Sequence, residues 1–142
     1  MIEFKDIKTV EKIHGLHLIV DGYVKNSNVF NPFKLHWLFD KLVENLEMKY
    51  LIEPIIKEVP LEPDKLISEQ DEGGISCICM ITTSHISLHA WPLRNAFMMD
   101  IFSCKNFNHK VAEQIIQEVL DIDELHTELI VHKDPKFRYY ND

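Results

Sequence analysis

A chain of 142 residues, 46% of them hydrophobic, has the length of one domain and enough apolar mass for a core. With 15 basic against 23 acidic residues and a formal net charge of -8, it lacks the positive field that nucleic acid or an anionic membrane surface would select. No apolar run approaches the ~20 residues of a membrane span, the opening MIEFKDIKTVEKIHG has no signal-peptide core, and Cys77, Cys79 and Cys104 make no disulfide framework; a cytoplasmic protein with reduced thiols is expected.

Residues 1–14 read as a charged leader. LHLIVDGYV, Leu16 to Val24, reads as a strand by its aliphatic run. Asn31 followed by Pro32 is a helix start, and Leu35, Leu38, Phe39, Leu42 and Leu46 recur at helical spacing to about Met48. Tyr50 to Val59 is a second strand, demoted by Pro54 to an edge or bulged one. Pro60 to Gly74 is a long acidic loop without a period. Ile75 to Thr82 is a buried strand. It runs almost directly into the stretch Thr82–Pro92, read as a further strand, where Ile86, Leu88 and Ala90 alternate with His85, Ser87, His89 and Trp91. Either one long bent strand or a tight corner near Ser84 is expected.

After the short turn Leu93–Asn95, Ala96 to Cys104 is another strand, with Met98, Asp100, Phe102 and Cys104 on one face. Asn106 or Asn108 caps a second helix with Val111, Ile115, Val119 and Leu120 inward, and Glu124 to His132 is the last strand. The tail from Asp134 is expected to be loose. Hairpin-linked strands with two helices predict a single two-layer α/β sandwich, α+β in class, on a largely antiparallel sheet.

The chemically capable residues gather around one stretch. His85 and His89 are four apart, which in a strand is ~13 Å, too far for one ion, so no metal site is expected there. Cys77 and Cys79 read as small buried hydrophobes, whereas Cys104 ends a strand on the face of Asp100 and is the better candidate for chemistry. Ser84 and His89 lack a G-x-S-x-G elbow and sit too far apart on a straight strand for a serine hydrolase. Composition and spacing alone stop at a small α/β domain with a serine, histidine and cysteine constellation.

The run I75-S-C-I-C-M-I-T-T-S-H-I-S-L-H-A-W-P, followed by M99-D-I-F-S-C104, resembles the prokaryotic type of S-adenosylmethionine decarboxylase, as does the opening HLIVDGY strand. The resemblance covers roughly Gly15 to His132. It implies a proenzyme that cuts itself between Thr83 and Ser84 and converts Ser84 into a pyruvoyl group, a built-in cofactor that needs neither metal nor pyridoxal phosphate. It further implies that His89 removes the serine α-proton during processing and that Ser76 assists processing and lines the site. Cys104 would return a proton to the substrate carbon after decarboxylation, and Trp91 would stack on adenine. Cysteine suits proton return because the ordinary thiol pKa of ~8.5 leaves a proton to donate near neutrality. The resemblance also implies a homodimer with sites near its interface, a small-molecule substrate and a place in polyamine (spermidine) synthesis.

Three positions depart from the family pattern. Thr83 stands where glutamate is usual before the serine, Leu93 where a glutamate usually holds the ribose hydroxyls, and residues 60–74 contain no aromatic to stack on adenine. A pyruvoyl-dependent decarboxylase of S-adenosylmethionine is the leading expectation. The same chemistry on ornithine or arginine, and an uncleaved relative with a regulatory or partner-binding role, are the alternatives.

Overall fold

The computed structural model describes residues 15–60 and 73–132. The expected leader, most of the acidic loop and the C-terminal tail lie outside the described residues.

Six strands form one sheet: β1 (Leu16–Val24), β2 (Tyr50–Val59), β3 (Gly74–Ile81), β4 (Ser84–Trp91), β5 (Ala96–Ser103) and β6 (Ile122–Val131), in the order β2-β3-β4-β5-β1-β6. Every neighbouring pair is antiparallel. Helix α1 (Pro32–Asn45) and helix α2 (His109–Leu120) lie in the connections after β1 and β5. Pro54 has the predicted effect: β2 is an edge strand, and its register on β3 shifts between Tyr50 and Ile55.

The helices form where the caps say they should. Asn31 accepts the Lys34 amide at 2.8 Å with Pro32 in the first turn, and Asn108 accepts the amides of Lys110 and Val111 at 3.1 and 3.3 Å. Asn108 rather than Asn106 is therefore the second cap. α1 ends at Asn45, three residues before the predicted limit, where Leu46 leaves helical geometry and Glu47 turns left-handed. In α2 the inward residues are Ala112, Ile115, Ile116, Val119 and Leu120, while Val111 is only half-buried.

The core lies between the two helices and one face of the sheet. Leu35, Leu38, Phe39 and Leu42 of α1 and Ile116 and Leu120 of α2 are fully buried against Leu18, Val20, Ile86, Leu88 and Ile101. Cys77 and Cys79 belong to this layer, as expected. Among the described residues the opposite face of the sheet carries no helix. There Ile78, Met80 and Met98 are about half exposed beside His85, Ser87, His89 and Asp100. Among the described residues no helix is long and apolar enough to cross a membrane.

At one point β1 and β5 approach too closely for any side chain. A Cβ on Gly22 would lie 2.6 Å from the Phe97 ring, which is itself 1% exposed. A buried aromatic ring cannot swing away, so Gly22→Ala is expected to destabilise the fold by about 1–3 kcal/mol through overpacking. A drop in thermal midpoint with near-native circular dichroism below it is the expected reading, and an unchanged midpoint would contradict this packing.

Candidate active site

β3 and β4 are joined by only two residues, Thr82 and Thr83, with Ile81 opposite Ser84. This is the tight corner that the sequence left open against a bent strand. It falls just before Ser84, so β4 runs straight from Ser84 to Trp91. Two-residue hairpin turns demand positive φ, a role suited to glycine or asparagine. Here Thr83 takes it, with φ of 64°. For a β-branched residue this conformation is an outlier that costs roughly 1–3 kcal/mol.

Three groups converge on this corner. Ser84 pairs with Ser103 at the end of β5, which delivers Cys104 beside it. The Cys104 backbone amide donates to Ser84 Oγ at 3.3 Å, and Cys104 Sγ lies 2.7 Å from Thr83 Oγ1. The Thr83 hydroxyl also meets the Thr82 carbonyl. The corner borders a cavity of about 450 Å³ whose lining includes Met48, Lys49, Thr82, Ser84 and Lys105. Cys104 is half-buried and reachable, unlike the two buried cysteines. Burial, followed by the neighbouring Cys79, pushes the Cys77 thiol up to about 12; burial likewise pushes Cys79 up to about 11, with a backbone bond from Ile86 opposing it. Both therefore stay protonated and inert at neutral pH.

A second cluster sits elsewhere on the same strands. Ser76 and His89 are direct cross-strand partners, with Ser76 Oγ 2.8 Å from His89 Nδ1. Five strand residues separate His89 from Ser84, or ~16 Å. One chain thus brings Ser84, Thr83 and Cys104 together, brings Ser76 and His89 together, and does not join the two groups. Trp91 lies farther still, ~23 Å along β4 from Ser84. It lines a hollow of about 290 Å³ with Tyr23, Arg94 and Met98. Leu93 follows in a short 3-10 turn and is largely exposed.

Sequence reasoning missed a third feature, between the two clusters. Asp100 accepts from Ser87 Oγ at 2.8 Å and lies 3.2 Å from His17 Nε2 and 3.7 Å from His85 Nε2. Phe102 stacks on His85 with ring centroids 5.5 Å apart. Ser87 and Asp100 were visibly on strand faces, but their pairing is a long-range register that neither stretch encodes alone. Among the described residues no group of three or more histidine, cysteine or acidic side chains is placed to hold a metal.

An antiparallel six-stranded sheet with two helices on one face is an α+β sandwich that matches the fold of an adenosylmethionine decarboxylase. The family model for S-adenosylmethionine decarboxylase matches residues 16–132, and the chain belongs to that family of pyruvoyl-dependent carboxy-lyases. The S-adenosylmethionine decarboxylase proenzymes of Sulfurihydrogenibium sp. (strain YO3AOP1) and Persephonella marina are each 28% identical to it over 113 residues, 76% of this chain and 74% of theirs. The arginine decarboxylase proenzyme of Caldivirga maquilingensis is 32% identical over 72 residues, 46% of this chain and 52% of that protein, so this match spans about half that relative's length. The crystal structure of the adenosylmethionine decarboxylase from Aquifex aeolicus is similar with a TM-score of 0.65 and 17% identity, over 93% of this chain and 100% of that one. At that identity the likeness is one of fold.

Proposed function

We propose that this protein is a self-cleaving decarboxylase of S-adenosylmethionine, cut between Thr83 and Ser84 and serving polyamine synthesis. The observation that carries the reading is the convergence of Ser84 Oγ, the strained Thr83 backbone and Cys104 on one two-residue turn. The residues present fit a pyruvoyl group built from Ser84, because the Cys104 amide that donates to Ser84 Oγ is a ready partner for a carbonyl oxygen at that place. A pyruvoyl group held there would supply a ketone for the substrate amine and an electron sink for the loss of carbon dioxide from the substrate carbon. Cys104 then returns a proton to that carbon, from a thiol at the strand end that solvent and substrate can reach.

His89 is assigned the removal of the Ser84 α-proton during processing, with Ser76 fixing its ring through Nδ1. It cannot do this within one chain over ~16 Å. The sheet face that carries no helix among the described residues offers the solution. With Ile78, Met80 and Met98 exposed there, a second copy can pack against that face and bring its Ser76–His89 pair towards the end of the sheet where Cys104 leaves β5 and the turn before Ser84 lies. Trp91 would reach the site in the same way. The protein is thus read as a homodimer with two shared sites.

This arrangement makes a specific prediction. Ser84→Ala and His89→Ala chains are each inactive alone. Co-expressed, they recover about a quarter of wild-type carbon dioxide release, because half of randomly paired dimers are mixed and each holds one intact site. No recovery would show that each chain completes its own site.

A second substrate reading has its own support. Leu93 cannot accept hydrogen bonds from ribose hydroxyls, and the Caldivirga relative is an arginine decarboxylase proenzyme. Carbon dioxide release measured in parallel with S-adenosylmethionine, arginine and ornithine decides between them. Turnover of S-adenosylmethionine alone supports the leading reading, and turnover of arginine or ornithine alone replaces it.

A further inference from the structure

We propose that Thr83 is a positioning residue for self-cleavage, its left-handed backbone raising the ground state of the very bond that breaks. The inference rests on the reading of Ser84 as the pyruvoyl precursor and adds a role that the reaction does not itself require of this side chain.

The chemistry sets the need. Ser84 Oγ attacks the Thr83 carbonyl carbon; an O–C bond forms, the C–N bond breaks, and the hydroxyl proton ends on the Ser84 nitrogen. An ester and a free amine replace an amide, and that exchange runs uphill because amide resonance is lost. Cleavage is completed when the Ser84 α-proton is removed and the ester oxygen leaves with the Thr83 acyl group as a carboxylate. Water then replaces the nitrogen, which departs as ammonia. Anything that destabilises the intact turn relative to the opened one favours the first, uphill step.

The turn is built to do this. Thr83 has φ of 64°, in a region that disfavours a β-branched side chain. Strained conformations persist only where their surroundings over-determine them. Here β3 and β4 leave two residues to close the hairpin. The Thr83 hydroxyl is tied to the Thr82 carbonyl and lies 2.7 Å from Cys104 Sγ. In the ester the chain runs on through Ser84 Cβ and Oγ, a longer link that loosens the turn at the first step, and the later elimination makes Thr83 a chain end free to leave the left-handed region. The other non-glycine residues with positive φ are Glu47, Asn95 and Asp121, none of them β-branched. The one β-branched outlier among the described residues is the residue before the scissile bond.

The test pairs rate with stability, because strain moves them in opposite directions. Thr83→Gly, and separately Thr83→Asn, place residues that accept positive φ into the same turn. Each is expected to slow first-order cleavage about tenfold, followed as loss of the uncut chain by denaturing electrophoresis. In the uncut Ser84→Ala background each is expected to raise the thermal midpoint by about 3 °C. A residue that mattered only for folding would lower the midpoint while slowing the cut. Wild-type cleavage together with an unslowed Thr83→Gly chain overturns this inference alone. A folded wild-type chain that never cleaves overturns the reading beneath it.

Discussion

Ser84→Ala is expected to leave the chain whole and to release no carbon dioxide from any amino-acid substrate. The loss is total because the same atom serves twice. Without Oγ no oxygen lies next to the Thr83 carbonyl to attack it, and without the cut no ketone forms. The nearest other hydroxyls are engaged elsewhere: buried Ser103 Oγ accepts from the Lys105 amide, and the Thr83 hydroxyl meets Thr82 and Cys104. The variant should fold, since Ser84 Oγ makes one hydrogen bond, from the Cys104 amide at 3.3 Å, at the rim of a cavity. Intact mass, circular dichroism and carbon dioxide release together check this. A cleaved Ser84→Ala chain would move the scissile bond elsewhere.

Cys104→Ser separates the two jobs of the site. The hydroxyl that replaces the thiol keeps a hydrogen-bonding atom near Thr83 Oγ1, and the backbone amide that holds Ser84 Oγ is untouched. Cleavage is therefore expected to go to completion. Turnover is expected to fall by ~10²–10⁴, the usual worth of a positioned proton donor. A hydroxyl gives up its proton far less readily than a thiol. The measurement is kcat for carbon dioxide release on fully cleaved material, with the cut confirmed by mass. Wild-type turnover in the cut variant would remove Cys104 from the chemistry and leave it a structural neighbour of the turn. Thiol labelling supports the same distinction, because Cys77 and Cys79 are buried with raised pKa values and leave Cys104 as the reactive thiol among the three.

Much of this was legible in the residues themselves. The alternation of Ile86, Leu88 and Ala90 with His85, Ser87, His89 and Trp91 gave β4 its two faces, because a strand has a fixed period of two. Asn31–Pro32 gave the start of α1, because a capping side chain and a proline each have a local mechanism. Ends were less legible: α1 stops at Asn45, β5 at Ser103, and β6 starts at Ile122 and ends at Val131, since fraying and caps depend on tertiary contacts. The corner at Thr82–Thr83 stayed open against a bent strand because it lacks the glycine or asparagine that normally announces such a turn. The missing turn residue and the proposed strain are the same fact.

The site was legible as a list and not as a place. The motif named Ser76, Ser84, His89, Trp91 and Cys104 together, but β4 holds Ser84 and His89 ~16 Å apart. Distance along one strand is simple arithmetic; what the proposed second copy would bring to the site is not contained in one chain's pattern. Ser76 opposite His89 and Ser87 opposite Asp100 are likewise matters of register, fixed by the turn between β3 and β4 and by the packing of β5.

The most direct measurement is the intact mass of the purified, folded wild-type protein with a carbonyl-reactive hydrazide added. The account predicts two polypeptides, residues 1–83 and 84–142, the second lighter by one ammonia than a peptide beginning with serine and labelled once by the hydrazide. A single unlabelled chain of full length, in a preparation shown to be folded, would contradict it.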